Sequence, residues 1–126
     1  MNEKGQRNYD LQERLIEFAV RVLNVVESLP NSRVGNHVAG QLIRSGASPA
    51  PNYGEAQSAE SRKDFIHKMK VGLKELRETL VWLLIIQRKP LVEPLEKCSP
   101  LIDENNELIS IFVASIATAQ KNLEKQ

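Results

Sequence analysis

At 126 residues, with 41% hydrophobic and 26% charged side chains, the chain is long enough to bury a real core in one domain and too apolar for a disordered segment. Seventeen Lys and Arg stand against sixteen Asp and Glu, a formal net charge of +1, which excludes a global electrostatic pull toward nucleic acid or anionic membrane and leaves any such attraction to a local patch. The single Cys98 has no partner for a disulfide or a Cys-x-x-Cys site, and the longest apolar run, Leu80 to Ile86, is far too short to span a bilayer; the expectation is one cytoplasmic domain over residues 1–126, with no membrane association.

In chain order, Asp10 is placed to cap a first helix, with Glu13 at capping-box distance. Leu11, Leu15, Phe18, Val22, Val25 and Leu29 recur at helical spacing, with a second apolar line at Ile16, Ala19, Leu23 and Val26, so this helix expects more than one neighbour. Pro30 ends it near Leu29. Asn31 or Ser32 caps a second helix that carries Val34, Val38, Leu42 and Ile43 as far as Arg44. Residues 45–51 are then small or proline. Pro49 and Pro51 remove backbone donors and bias Ser48 and Ala50 toward extended geometry, which predicts a sharp break and a restart at residue 52. Asn52 and Glu55 have the types and spacing of a structural cap for that restart.

The third helix, Ser61 to Arg88, is the longest rod, roughly 40 Å at 1.5 Å per residue. Phe65, Met69, Leu73, Leu76, Leu80 and Leu83 form its core stripe, and to one side lies a basic line of Lys63, His67, Lys70, Lys74 and Arg77. From Leu80 to Ile86 the helix is apolar on every side. A bundle helix normally keeps an outer face, so Val81, Trp82, Ile85 and Ile86 are a candidate subunit interface. Residues 89–100 carry three prolines and suit either a crossover along the bundle or a shorter excursion with a helical turn. A last helix begins near Pro100 or Asp103 and carries Ile109, Phe112, Ile116, Ala119 and Leu123. No alternating stretch or internal repeat points to strands. The pattern is that of an all-α, antiparallel four-helix bundle with its second helix broken near Pro49 to Pro51.

The basic line is the candidate nucleic-acid site. Residues 31–77 hold eight Lys and Arg against four acids, and the rest of the chain is net acidic, so the positive charge is concentrated where the phosphate contacts would form. A solvated helix face looks the same, and no aromatics interleave the line to stack on bases. Glu60, Asp64 and His67 could share a face, but a carboxylate metal site of the bundle type needs a second such motif and further inward carboxylates from other helices, and the sequence has no second Glu-x-x-His or Asp-x-x-His. No nucleophile elbow, phosphate loop or zinc spacing occurs, and Cys98 has no identifiable base. These readings predict no cofactor, no metal and no enzyme.

The segment from Arg44 to Ile86 resembles the four helix bundle proteins that include the 23S rRNA intervening-sequence proteins. In that family a small-residue segment ending in Asn-x-x-Glu precedes a helix starting near Ser-x-Lys-(Asp/Glu)-Phe and containing Glu-Leu; the matching residues are Ser48, Asn52, Glu55, Ser61, Lys63, Asp64, Phe65, Glu75 and Leu76, followed by Trp82 and Leu83. The resemblance implies a four-helix bundle assembled as a homopentameric ring. A related accessory protein of diversity-generating retroelements is a basic pentameric barrel that works with a reverse transcriptase and nucleic acid. It therefore implies a non-enzymatic homo-oligomer with RNA or DNA as a weak partner, or alternatively a scaffold for a protein partner with no nucleic-acid binding.

Overall fold

The computed structural model describes residues 3–125, and every regular element among them is helical. α1 spans Glu3–Glu27, α2 Arg33–Ala47, α3 Pro49–Gln57, α4 Arg62–Arg88 and α5 Ser99–Glu124, with a single 3-10 turn at Leu95–Lys97. α2 and α3 are two halves of one rod, so the elements make the four rods of a bundle. α1 packs on α2, α3 and α5, and α4 packs on the same three, which sets α1 and α4 at opposite corners. Cross-links fix the directions. Arg44 meets Glu75 while His37 meets Trp82, and Asn105 meets Leu76 while Arg62 meets Asn122, so α2 and α5 both run antiparallel to α4.

α1 begins well before Asp10, which lies inside the helix and does not cap it. Glu3, Lys4, Gln6 and Arg7 are good helix formers and carry the rod across Gly5 ahead of Asp10. The end after Glu27 and the Ser32 cap, whose hydroxyl accepts the Gly35 N–H at 3.0 Å, follow from Pro30 and the capping chemistry. This turn is tight: a Cβ on Gly35 would lie 1.9 Å from the Pro30 carbonyl oxygen.

The break in the second rod is gentler than the two prolines suggest. Ser48 stays in the right-handed helical region (φ −78°, ψ −36°) and α3 starts at once with Pro49. Pro49 and Pro51 occupy the first and third positions of α3, where the amides they lack would have had no partner within that helix. The rod bends there instead of unwinding. As a result Asn52 and Glu55 are not a cap. Asn52 lies one turn inside α3, its N–H donating to the Ser48 carbonyl, with its Cβ beside Gly72 of α4, and Glu55 is exposed. The cap is found further on, where Ser61 Oγ accepts the Asp64 N–H at 3.0 Å and Asp64 Oδ2 accepts the Glu60 N–H at 3.3 Å.

The core gathers Leu15, Phe18 and Val22 of α1, Val38 and Leu42 of α2, Tyr53 of α3, Met69, Leu76, Leu83 and Ile86 of α4, and Leu101, Leu108 and Phe112 of α5. Each of the large ones, fully removed from water, contributes on the order of 1.5–3 kcal/mol before entropy is counted. Three buried polar side chains, Ser45, Thr79 and Asn105, lie within it. Thr79 Oγ1 lies 2.8 Å from the Glu75 carbonyl and 2.9 Å from Ser45 Oγ; having one hydrogen, it donates to the carbonyl and accepts from Ser45. Asn105 Nδ2 donates to the Leu76 carbonyl at 3.0 Å, while its Oδ1 has no protein partner. At the surface Arg14 forks onto Glu104, with Nε–Oε2 at 3.0 Å and Nη2–Oε1 at 2.6 Å, and ties α1 to α5. That bond to Glu104 raises the Arg14 pKa despite partial burial.

Residues 89–98 make the shorter excursion and not the crossover. Gln87 Nε2 donates to Ser99 Oγ at 3.3 Å, so the loop leaves and returns at one end of the bundle, and buried Val92 and Cys98 fold it back onto the core.

Two outcomes test this packing. Gly35→Ala gains ~1 kcal/mol of helix propensity but drives a methyl group into a backbone carbonyl, a strain of about 1–3 kcal/mol or more; the urea midpoint falls, and an unchanged midpoint contradicts the tight turn. Burial pushes the Cys98 thiol pKa up, which starves it of thiolate at neutral pH. The folded protein then reacts slowly with an aromatic disulfide reagent and rapidly once unfolded in urea, whereas fast stoichiometric labelling of the folded protein contradicts that burial.

Candidate functional site

The outer face of α4 carries most of the residues singled out by the sequence. Lys63, His67, Lys70, Lys74, Arg77, Val81, Ile85 and Arg88 follow one another at intervals of three or four and all are exposed, which places them on one continuous side of the helix. Every charged side chain that α4 exposes is basic. The ion pairs found among the described residues involve none of Lys63, His67, Lys70, Lys74 and Arg77, whereas Lys68, off this line, reaches Asp64 at 3.8 Å. The fold therefore brings the five basic residues together as a solvent-facing row. From Lys63 to Arg77 the row is roughly 21 Å long at 1.5 Å per residue.

The candidate interface divides. Val81 is 54% and Ile85 39% exposed, but Ile86 is fully buried in the subunit's own core and is unavailable to a neighbour. Leu83 is likewise core, and Leu80 and Leu84 are half-buried. Seven consecutive residues cover the whole circumference of a helix. An all-apolar run thus supplies core, flank and outer positions together, and only two of its members face outward.

Trp82 is half-buried and engaged within the subunit. Its indole N–H donates to Glu78 Oε2 at 3.1 Å, and His37 of α2 meets the ring edge-on with centroids 6.0 Å apart. The same Glu78 pairs with Arg44 of α2, which also donates to Glu75 Oε2 at 2.9 Å. This bridge between α2 and α4 was not evident from spacing, since Arg44 is about thirty residues from its carboxylates. The signal available was the Glu75–Glu78 pair on the flank of a helix whose outer residues are basic. Partial exposure limits such pairs to roughly 0.2–1 kcal/mol each.

Nothing in the described residues assembles a reaction centre. Asp64 is committed to the cap of α4 and His67 points outward, and no group of three or more His, Cys, Asp or Glu among the described residues is placed to hold a metal. Cys98 is buried at the start of α5. A depression of about 240 Å³ between α1 and the start of α5 is lined by Arg21, Asn24, Val25, Ser28, Lys97 and Leu101, where the Ser28 hydroxyl donates to the Asn24 carbonyl at 3.0 Å. No helix among the described residues is long and apolar enough to cross a membrane.

Comparison with known proteins bears on this geometry. A search of curated proteins finds no match. A solved structure of a protein with unknown function from the S23 ribosomal protein family of Bacteroides thetaiotaomicron is 32% identical, covers 84% of this chain and 97% of its own, and superposes with a TM-score of 0.77. The model of the 23S rRNA-intervening sequence protein family matches residues 7–114, from α1 into α5. That match covers most of the sequence, and the chain belongs to the 23S rRNA-intervening sequence protein family.

Proposed function

We propose that this is a non-catalytic, self-assembling accessory protein of the cytoplasm that binds nucleic-acid phosphates through the outer row of α4. The assembly expected from the family resemblance is a homopentamer. The observation that carries the binding reading is the row itself: Lys63, His67, Lys70, Lys74 and Arg77 are all exposed on one side of a straight helix and take no part in the ion pairs found among the described residues. Cations left without carboxylate partners are able to exchange counterions for phosphates, the main source of sequence-independent affinity.

The row also sets the kind of binding. Among the described aromatics, Phe18, Tyr53 and Phe112 are buried, Phe65 is half-buried, and Trp82 is tied to Glu78 and His37. Base stacking then contributes little, and recognition falls on the backbone. Few phosphates lie within reach of one subunit, so each is a weak binder and an assembly gains by multivalency.

A gel shift at low salt tests this. The wild-type chain shifts RNA or DNA, and the logarithm of its affinity falls linearly with that of salt concentration. Lys70→Glu with Lys74→Glu lowers the affinity by tenfold or more, on the order expected for two phosphate contacts turned repulsive, without changing the mass by light scattering. Unchanged affinity in that variant overturns the reading in favour of a protein scaffold, for which the mark is a partner that co-purifies after nuclease treatment.

A further inference from the structure

α1 presents the electrostatic opposite of α4. From Asp10 to Glu27 it exposes Asp10, Glu13, Glu17 and Glu27, while its basic residues Arg14 and Arg21 are half-buried, Arg14 being tied to Glu104; between these acids it exposes Ile16, Val20 and Leu23, at 43%, 45% and 38%. Ile16, Val20 and Leu23 follow at intervals of four and three, so they form one apolar line on the outer side. None of Glu13, Glu17 and Glu27 takes part in the ion pairs found among the described residues. The second half of α4 has the same layout with the sign reversed: Arg77, then Val81 and Ile85, then Arg88, all exposed. Glu17 to Glu27 spans about 15 Å and Arg77 to Arg88 about 16 Å along their helices.

We infer that the outer face of α1 in one copy docks on the outer face of the second half of α4 in another copy, with Val20 and Leu23 against Val81 and Ile85 and the flanking glutamates against Arg77 and Arg88. This rests on the self-assembly part of the reading above and names its surfaces. Charge selects the pairing: α4 against α4 sets Arg77 and Arg88 on their own kind, and α1 against α1 does the same with Glu17 and Glu27. The remaining pairing joins two different surfaces. Because α1 and α4 stand at opposite corners of the bundle, each subunit offers both at once, which is the requirement for a head-to-tail assembly that continues until it closes. The first half of α4, Lys63 to Lys74, stays outside this contact and remains open to phosphates. Arg77 is where the two uses meet.

The test measures mass by light scattering at micromolar concentration. Val20→Asp on α1 and Val81→Asp on α4 each reduce the wild-type oligomer to monomer, since each spoils one of the two faces. Mixed in equal amounts they form a heterodimer and nothing larger, through the one intact α4 face and the one intact α1 face. Glu17→Arg with Glu27→Arg, or Arg77→Glu with Arg88→Glu, also gives monomer, and all four changes in one chain restore the oligomer. These charge variants decide the matter should either aspartate variant lose its helical circular dichroism. A wild-type oligomer whose mass survives Val20→Asp, or whose two aspartate variants stay monomeric when mixed, overturns the assigned faces and leaves self-assembly standing. A wild-type monomer overturns both.

Discussion

Gly46 lets α1 approach the second rod so closely that a Cβ there would lie 2.5 Å from Val22 Cγ1. One residue earlier, Ser45 turns to the other side of the rod and shares a buried hydroxyl bond with Thr79 of α4. The second rod is thus wedged between α1 and α4 at its bend, and both contacts need small side chains. The prolines that follow are accommodated because the bend has already separated α3 from α2, so Pro49 and Pro51 start a helix and do not interrupt one. A larger residue at 45 or 46 would push the corners apart and open the core around Leu42 and Leu76.

Keeping α1 and α4 at opposite corners has an electrostatic result that net charge conceals. From Asp10 onward the exposed charges of α1 are acidic, whereas those of α4 are basic, so the +1 total hides local fields of opposite sign. A nearly neutral protein therefore presents a basic surface to a polyanion and an acidic one to a polycation, and at short range the local field governs encounter. The separation also keeps the two helices from neutralising each other inside one subunit.

Much of this was legible in the sequence, and the failures have physical causes. The long helix, the row Lys63 to Arg77 and the Pro30 stop were readable because helical period and proline chemistry act locally. The cap at Asn52 and Glu55 failed because it rested on the prolines breaking the helix, whereas Pro49 begins α3 and leaves Asn52 one turn inside it. The core stripe of α5 was read from Ile109 onward, whereas burial reaches back through Leu108 and Asn105 to Leu101; a polar Asn105 in that position hides the period. The exposed line of Ile16, Val20 and Leu23 carried no local sign of its exposure, since apolar residues on a wide face look alike until the neighbouring rods are placed. Arg44 and its two carboxylates are a tertiary contact and left no trace in spacing.

That last contact also explains why the outer row of α4 stays basic. Glu78 lies four residues after Lys74, a spacing at which a helix ordinarily forms an ion pair. Glu75 and Glu78 are instead drawn to the flank by Arg44, with Glu78 held additionally by the Trp82 indole. Having satisfied these partners, the two carboxylates have little left to offer Lys74 and Arg77, and they are half-buried where the lysines are exposed. An arginine on α2 in this way removes the internal competitors from the face of α4. The charge that α4 turns outward is thus shaped by a residue of another helix.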